Sequence, residues 1–387
     1  MHNPKATTSN IPENNSHKHI PLKRRLAYVL LVYLAFVLIL LAVEMGTRLT
    51  LPHLPSLDLF VGSAQQKAQV ANPQQAGIFE GDALLLWRLK PNLDHAVWDF
   101  TVLSTNAQSF RSDYPTRAKP QGTLRIVCLG DSVTFGYRVP VIWPDKPKDY
   151  NPEWLPYPML LEKLLRAVNP DRKIEVIAMA APGYTSHQGL AWLRRDIEKL
   201  QPDLLTASFG WNDVSFSDVP DREAIRTNWY AVAVRWLIDH SQAFAHATRW
   251  LRSQKQSGQP AAATRPVPRV SEQEYLNNML EITRLARARG AGVVVIAAAY
   301  RDHVTNPPEA ELMAGYRAGL RLAMQQNQIP FLEIPELMES AYPANEAWFG
   351  ELIHPNHMGH RLIASELLKL FATNRMLHDL QVPTFMP

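Results

Sequence analysis

Apolar segments of strand length alternate with amphipathic helical patterns along most of this chain, from Thr123 to Phe371. Buried parallel strands read as short apolar runs, and the helices between them carry apolar residues at a helical spacing. This alternation predicts right-handed βαβ crossovers and a three-layer α/β/α fold with a five-stranded, mostly parallel sheet. The strand candidates are 124–129, 174–179, 203–209, 292–299 and 329–333, and the helix candidates are 155–168, 186–200, 272–289, 308–327 and 357–373.

A membrane span is predicted ahead of this domain. Leu26 to Val43 contains 18 residues without a charge, and Lys23-Arg24-Arg25 stands immediately before them. At the helical rise such a segment covers about 27 Å, close to the hydrocarbon thickness of a bilayer. We therefore predict a transmembrane helix over residues 26–43.

The charge distribution predicts the orientation of that helix. Residues 1–25 hold five Lys or Arg and one Glu, a net charge of +4 that equals the net charge of all 387 residues. The remainder is neutral overall, so no nucleic-acid partner is predicted. The positive-inside rule places the basic tail in the cytoplasm and the large C-terminal part in the periplasm or otherwise outside the cytoplasm. A cleaved signal peptide is the alternative, but the preceding polar segment is long and no Ala-x-Ala precedes Glu44.

The single cysteine, Cys128, lies inside the first predicted strand of the domain. One cysteine cannot form an intramolecular disulfide, and this one is not placed to carry a lipid near the span. We interpret Cys128 as a small core residue.

Composition and pattern divide the chain into segments with different predicted roles. Alternating residues at 86–91, 98–103 and 106–111 predict short strands in a small lead-in before the main domain. The predicted segments are a basic tail (1–25), the transmembrane helix (26–43), a connector (44–81), a β-rich lead-in (82–122), the main domain (123–375) and a C-terminal tail (376–387).

An insertion at 215–270 separates the third and fourth predicted strands. It contains a helical stretch from Ala224 to Arg252, followed by a loop rich in Gln, Ala and Pro. Aromatic residues at helical spacing usually fill a core, so we predict that the tryptophans of this stretch pack between helices. The alternatives are that they line a substrate cleft or face a membrane. The three residues are Trp229, Trp236 and Trp250.

Residues suited to acyl chemistry follow the predicted strands. Gly130-Asp131-Ser132 ends the first strand, although this tripeptide alone occurs by chance in about one chain in ten of this length. A serine nucleophile needs a base and an oxyanion hole. Gly183 after the second strand can present its backbone N–H, Asn212 after the third can present its amide, and His354 before the last helix can act as a base.

These four blocks resemble, in order and context, the marker blocks of the SGNH hydrolases, also called the GDSL family. The matching segments are Gly-Asp-Ser-Val-Thr-Phe-Gly, Pro-Gly-Tyr-Thr-Ser, Phe-Gly-Trp-Asn-Asp and His-Pro-Asn-x-x-Gly-His, and residues 106–111 resemble a lead-in of membrane-anchored bacterial members. The resemblance implies a flavodoxin-like sheet of order 2-1-3-4-5. It also implies Ser132 as nucleophile, His354 as base, and an oxyanion hole from Ser132, Gly183 and Asn212.

The sequence departs from this family at the acid. The family usually carries an aspartate three residues before the histidine, and here that position is Glu351. Asp and Glu both serve in serine triads, so we predict that Glu351 orients His354. The alternative is a Ser132–His354 dyad with Glu351 as a surface carboxylate.

Other polar residues near these motifs have simpler interpretations. Asp131 and Asp213 are expected to hold their turns through hydrogen bonds to the backbone, and Asn212 taken alone could do the same. His354, His357 and His360 with Glu351 invite a metal interpretation. Pro355 interrupts the first turn there and no further Cys or His cluster completes a closed site, so we predict no metal and no cofactor. His357 and His360 are expected at the start of the last helix.

Several aromatic residues lie in or beside the strand-end loops. They could line an acyl or sugar pocket, or equally pack in the core and anchor the loops. They are Tyr137, Tyr184, Trp211, Tyr300, Trp348 and Phe349.

The sequence thus predicts a membrane-anchored serine esterase that hydrolyses acyl esters, such as acetyl esters, of an envelope glycan, polysaccharide or lipid. An O-acyltransferase that passes the acyl group to a sugar hydroxyl remains open, because pocket shape and water exclusion choose the acceptor. A non-catalytic envelope protein that keeps the fold for binding is the alternative from another class. Its basis is Glu351 and the long insertion.

Overall fold

The computed structural model describes residues 21–61, 76–256, 265–298, 307–341, 348–351, 353–377 and 379–383. The chain forms two compact units, Met1–His53 and Leu54–Pro387. Parts of some predictions lie outside the described residues. These parts are residues 1–20 of the basic tail, 62–75 of the connector, 257–264 of the insertion loop, 299–306 (with Tyr300 and the last residue of the strand predicted at 292–299), 342–347 and 352 of the main domain, and residues 378 and 384–387 of the C-terminal tail.

The described strands and helices are numbered in chain order. The strands are β1 (Phe79–Asp82), β2 (Leu86–Leu89), β3 (Ala96–Trp98), β4 (Thr101–Leu103), β5 (Thr123–Gly130), β6 (Lys173–Ala180), β7 (Leu204–Ser208), β8 (Phe216–Ser217), β9 (Val267–Pro268), β10 (Gly292–Ile296) and β11 (Phe331–Leu332). The α-helices are α1 (Leu22–Thr50), α2 (Ser56–Phe60), α3 (Ser132–Phe135), α4 (Tyr157–Val168), α5 (Ser186–Leu200), α6 (Trp211–Val214), α7 (Asp221–Ala224), α8 (Trp229–His240), α9 (Gln242–Gln256), α10 (Glu272–Arg287), α11 (Pro307–Gln326), α12 (Ile334–Ala341) and α13 (His357–Thr373).

The first unit holds one long apolar helix. α1 contains 29 residues, and its most apolar window has a mean hydropathy of 3.0 with none of that window buried inside the protein. By length and composition α1 is able to cross a membrane, and a signal sequence near an N-terminus has the same composition. The helix begins at Leu22, before the predicted span, and therefore includes Lys23, Arg24 and Arg25.

The second unit is built on a five-stranded sheet whose strands are all parallel. Its order is β11-β10-β7-β5-β6, which is the predicted order 2-1-3-4-5 read from the other edge. Side chains alternate between the faces of β5, so Val127 and Leu129 join one core while Ile126 and Cys128 join the other. Helices α5, α10 and α11 cover the first face and α4, α12 and α13 the second, which confirms the three-layer fold. The last predicted strand is shorter than expected, at Phe331–Leu332.

Two antiparallel hairpins, β1–β2 and β3–β4, form the segment before the main sheet. The strand predicted at residues 106–111 is wrong, because this segment is a turn in which Arg111 makes a single bridge to Ala178. Asn106 Oδ1 accepts the backbone N–H groups of Gln108 and Phe110 at 2.9 and 3.1 Å. These side-chain bonds compete with strand pairing.

The insertion leaves and rejoins the domain through the short antiparallel pair β8–β9. The single helical stretch predicted over Ala224–Arg252 is in fact the one-turn helix α7 followed by α8 and α9, with Ser241 between the two longer helices. The packing prediction for the three tryptophans is wrong: Trp229, Trp236 and Trp250 are 80%, 52% and 61% exposed.

Candidate active site

Three adjacent strands of the sheet, β7, β5 and β6, bring the predicted site residues to one edge. Gly130 at the end of β5 pairs with Ala180 of β6 on one side and with Ser208 of β7 on the other. Neighbouring strands lie about 4.8 Å apart, so the loops that follow these three residues start side by side. Ser132, Gly183 and Asn212 stand two, three and four residues beyond the paired positions.

Ser132 is the first residue of α3, a single helical turn whose N-terminus is capped by the side chain of Asp131. Asp131 Oδ1 accepts the backbone N–H of Val133 at 2.9 Å, as the turn interpretation predicted. Burial raises the pKa of Asp131 to about 6, although the Val133 N–H and the charge of His354 act to lower it. The turn closes at Gly136, whose backbone N–H donates to the Ser132 carbonyl at 3.0 Å. Ser132 itself is 9% exposed.

His354 joins Ser132 and Glu351 into a continuous hydrogen-bonded chain. His354 Nε2 lies 2.7 Å from Ser132 Oγ, and His354 Nδ1 is hydrogen-bonded to Glu351 Oε1. Burial acts to raise the pKa of Glu351, but the His354 hydrogen bond and the positive charge of Arg138 outweigh it, and the pKa is lowered. Glu351 is therefore an anion at neutral pH that accepts from His354.

The loop before α13 fixes the position of His354. The Gly350 N–H donates to the His354 carbonyl at 3.0 Å, and the Asn356 N–H donates to the Trp348 carbonyl at 2.9 Å. Asn356 Oδ1 in turn caps α13 by accepting the N–H groups of Met358 and Gly359. A Cβ at Gly359 would meet the Trp348 carbonyl oxygen at 2.3 Å, so this close approach requires glycine.

Gly183 and Asn212 lie in the turns that flank Ser132. Gly183 has a φ of 81°, a conformation that favours glycine. The Asn212 side-chain nitrogen donates to the Tyr184 carbonyl at 3.0 Å and lies 3.4 Å from Asp131 Oδ2. The amide is thus tied both to the Gly183 turn and to the Ser132 turn.

The buried Asp213 side chain stabilises the segment that follows the Gly183 turn. Its carboxylate accepts the Ser186 backbone N–H at 3.0 Å and the Ser186 hydroxyl at 2.5 Å. Burial raises the pKa of Asp213 to about 7, against the lowering effect of these hydrogen bonds. Asp213 therefore has the turn-holding contacts that the sequence interpretation gave it.

Two buried arginines that sequence reasoning did not single out also support the turns. Arg111 donates to the carbonyls of Phe135, Gly136, Val102 and Val139, and so binds the end of α3 to the lead-in. Arg269 at the return of the insertion pairs with Asp221 at 2.9 Å and donates to the Gly183 carbonyl at 2.9 Å. In the sequence, the only indication for Arg111 was that residues 106–111 resemble a lead-in of the family. Nothing in the sequence indicated a role for Arg269, since its partners are distant along the chain.

The other predicted candidates lie apart from Ser132. His357 stacks on Trp154 with ring centroids 4.0 Å apart, and His360 accepts the Tyr157 backbone N–H at 3.1 Å. Burial lowers the pKa of His360 to about 3, so it is neutral. Both belong to the first turn of α13. In the part of the chain that the structure describes, no group of three or more His, Cys, Asp or Glu side chains is arranged to hold a metal ion.

The aromatic candidates divide between the site and the core. Tyr137 packs on the base, with its ring centroid 4.3 Å from that of His354. Tyr184 is buried and donates its hydroxyl to the Trp87 carbonyl, which anchors the Gly183 turn to β2. Trp211, Trp348 and Phe349 are buried. A groove of about 850 Å³ lies elsewhere, beside His187 and Glu274, and its lining does not include Ser132.

Comparison with solved structures gives distant relatives. An alpha/beta hydrolase enzyme from the metagenome of Lake Arreo, Spain, is 18% identical with a TM-score of 0.43, and the match covers 64% of this chain and 95% of that one. A catalytic mutant of an acetylxylan esterase from Geobacillus stearothermophilus is 18% identical with a TM-score of 0.41, over 64% and 93% of the two chains. A lipase/acylhydrolase from Enterococcus faecalis is 16% identical with a TM-score of 0.41, over 67% and 98%. No curated protein matches this sequence.

One family model matches this chain, over residues 128–362. That span is more than half of the sequence and contains Ser132, Gly183, Asn212 and His354. The protein therefore belongs to the GDSL-like lipase/acylhydrolase family and is a hydrolase that acts on ester bonds.

Proposed function

We propose that Ser132, His354 and Glu351 act as the nucleophile, the general base and the orienting acid of a serine esterase. The observation that carries this proposal is the chain of hydrogen bonds from Ser132 Oγ through both ring nitrogens of His354 to Glu351. A serine hydroxyl is weakly acidic, and a histidine at hydrogen-bonding distance can take its proton during attack. The Glu351 carboxylate fixes the tautomer that leaves Nε2 free to accept, and it stabilises the imidazolium that forms.

The reaction follows from these roles. Ser132 Oγ attacks the ester carbonyl carbon while its proton passes to His354 Nε2. The tetrahedral intermediate then expels the alcohol, which leaves with that proton. The acyl-serine is next attacked by water, whose proton returns through His354, so that the acid is released and Ser132 is regenerated.

The oxyanion of each tetrahedral intermediate needs donors that are already in place. We assign this role to the backbone N–H groups of Ser132 and Gly183 and to the side-chain amide of Asn212. The support is their position just beyond the ends of three adjacent strands and the hydrogen bond that ties Asn212 to the carbonyl after Gly183. Loss of one such donor typically raises the barrier by about 3–4 kcal/mol.

Covalent labelling tests the nucleophile. A serine-directed fluorophosphonate should label the purified full-length chain in detergent, and Ser132→Ala should abolish labelling. Ser186→Ala is the matched control, since Ser186 is a buried serine at the next strand end. Well-folded protein that resists labelling would favour the non-catalytic alternative and overturn the assignment of Ser132.

We further propose that α1 anchors the enzyme in the cytoplasmic membrane of a bacterium, with the basic tail inside and the catalytic unit outside. The support is the length and hydropathy of α1 together with the basic residues at its N-terminal end. The substrates would then be acyl esters of an envelope glycan, polysaccharide or lipid. Protease protection of the C-terminal unit in inside-out vesicles but not in spheroplasts is expected, and the opposite pattern would reverse the orientation.

The same acyl-serine can be resolved by a sugar hydroxyl instead of water, which would make the protein an O-acyltransferase. Purified enzyme given an aryl acetate, with and without candidate glycans, separates the two. Free acetate at the same rate in both samples supports the esterase. Acetylated glycan without comparable free acetate would exclude it.

A further inference from the structure

Among the residues of the second unit that the structure describes, the exposed Trp, Tyr and Phe side chains are confined to one pair of helices. Among its described residues, eleven large hydrophobic side chains are exposed, and seven of them lie on α8 and α9. All five exposed Trp, Tyr and Phe residues are among these seven, which are Trp229, Tyr230, Trp236, Leu237, Phe244, Trp250 and Leu251. Apolar residues scattered singly over a surface need no explanation, but a concentration on one element marks an interaction surface. We name these seven residues the aromatic face.

The aromatic face is the side of the helix pair that turns away from the protein body. On α8 the buried positions are Arg235 and Ile238, and Arg235 Nε donates to the Ala83 carbonyl at 2.5 Å. On α9 the buried residues include Gln242 and Ala245. Because the pair already has an inner side fixed to the domain, the exposed tryptophans are a second, outward side rather than a poorly packed core.

The helix pair is also attached to the first residues that follow the apolar helix. The Leu54 N–H donates to Gln242 Oε1 at 2.8 Å, and Gln242 Nε2 donates back to the Leu54 carbonyl at 3.2 Å. Ser56 is hydrogen-bonded to Asp239 of α8. From Thr50 at the end of α1 to Leu54 the chain can extend by about 14 Å at most. In the sequence, only three residues therefore separate the end of α1 from Leu54, which is bonded to Gln242 of α9.

The length of α1 indicates where that end lies if the helix crosses a bilayer. Twenty-nine residues extend about 44 Å, which matches the roughly 40–45 Å thickness of a bilayer with its headgroups. Thr50 would then lie at the headgroup surface, and Leu54, which is bonded to Gln242 of the helix pair, follows it by four residues in the sequence. Trp and Tyr are the side chains that favour this zone, since their rings are apolar at one end and polar at the other.

We propose that the aromatic face docks on the outer surface of the same bilayer that α1 crosses. Docking would bury the seven side chains at the boundary between headgroups and acyl chains, as in amphipathic helices that lie in the membrane plane. Apart from the buried Arg235, residues 229–252 carry two arginines and one aspartate, a net charge of +1 that suits a surface containing anionic lipids. The inference rests on the proposed anchoring by α1. It adds a second attachment, which would hold the catalytic unit at a fixed height and tilt.

Site-directed spin labelling of the full chain in phospholipid nanodiscs tests the proposal. Cys128 is fully buried, and burial raises the pKa of its thiol to about 12, so the parent chain should not take up label. One label is placed at Trp229→Cys or Trp250→Cys on the aromatic face. The matched control is Leu322→Cys on α11, which is 57% exposed. A label at Leu34→Cys in α1 reports whether the anchor is in the bilayer.

Docking predicts that labels at 229 and 250 are relaxed by oxygen dissolved in lipid and shielded from a water-soluble nickel chelate, whereas the label at 322 shows the reverse. Labels at 229 and 250 that behave like the label at 322, with the label at 34 inside the bilayer, would overturn docking and leave the anchor intact. A label at 34 in water would overturn the anchor, and with it docking on a bilayer that α1 crosses. Dipolar coupling between labels at 229 on two chains would instead assign the aromatic face to self-association and overturn the proposal.

Two controls show whether a labelled variant is still folded: a label at a second position, and an activity assay. Tyr230→Cys places the label on the same surface without removing a tryptophan. None of these residues touches Ser132 or its partners, so every labelled variant should hydrolyse a soluble aryl ester in detergent at the parental rate. A variant that is inactive there is replaced by its neighbour on the aromatic face.

Discussion

Arg269 donates a hydrogen bond to the Gly183 carbonyl at 2.9 Å, and both residues are withdrawn from solvent. The bond joins the residue that follows β9, at the end of the insertion, to the turn that we assign to the oxyanion hole. Arg269 also pairs with Asp221, which stands at the start of the insertion's first helix, α7. The insertion is therefore attached to the active-site turn at its entrance and at its exit.

We expect Arg269→Met to destabilise the protein strongly. The substitution would leave the Asp221 carboxylate buried without its counter-ion, and breaking one partner of a buried pair typically costs about 3–5 kcal/mol. Urea unfolding measures the change. Arg265→Met, four residues earlier and exposed, is the control and should unfold like the parent. A free energy of unfolding for Arg269→Met equal to that of the control would contradict the role assigned to this pair.

Glu351→Gln should lower kcat for an aryl ester by about 10²–10⁴-fold, with little change in KM. The glutamine side chain can present its NH₂ to His354 Nδ1, which places the proton on Nε2 and prevents it from accepting from Ser132. Stopped-flow or steady-state hydrolysis measures the loss. Glu351→Asp keeps the charge and should recover part of the activity if its shorter side chain reaches the ring.

The dyad alternative makes the opposite prediction for the same variant. If Glu351→Gln stays within about threefold of the parent while His354→Ala is inactive, Glu351 does not orient the base. The His354 ring would then depend on other contacts, such as the Tyr137 ring, whose centroid lies 4.3 Å from that of His354.

Asn212→Ala should reduce kcat by about 10²–10³-fold, as expected for the loss of one oxyanion donor. A residue that only holds its turn would instead act on stability, since Asn212 also donates to the Tyr184 carbonyl. Measuring kcat, KM and the free energy of unfolding together separates the two roles. A loss of stability with kcat near the parental value would remove Asn212 from the oxyanion hole.

The sequence predicted the sheet and the strand-end positions because both depend on local patterns. Val127 and Ile126 alternate between two cores, and the pattern of β5 already required this. Ser132, Gly183 and Asn212 each follow an apolar strand, so parallel order brings them together. The roles of these residues in turnover stay predictions that the variants above test.

The supporting contacts were not predictable in the same way. Arg111 and Arg269 act on carbonyl groups that are far away in the chain, and no periodic pattern encodes such a partner. The error at Trp229 has a different origin. Helical spacing identifies a face that is apolar, but it does not say whether that face is covered by the same protein.

Asp213→Asn tests whether the buried carboxyl makes stability depend on pH. Burial raises the pKa of Asp213 from 3.8 to about 7 in the folded protein. Between these values the unfolded chain has lost the proton that the folded chain keeps, so the unfolded state binds fewer protons and stability falls as pH rises. The contribution is complete below about pH 4 and is lost through about pH 7, at about 1.4 kcal/mol for each pH unit.

The measurement is the free energy of unfolding in urea at several pH values for the parent and for Asp213→Asn. The variant has no carboxyl to ionise at this position, so its stability relative to the parent should rise by about 4 kcal/mol from pH 4 to pH 7. Altered hydrogen bonds to Ser186 would shift the whole variant curve up or down without changing its slope, which makes the slope the diagnostic quantity. Parallel curves across this range would show that Asp213 is already ionised in the folded protein at pH 4. The Ser186 N–H and hydroxyl groups that face it would then be sufficient to stabilise the buried charge.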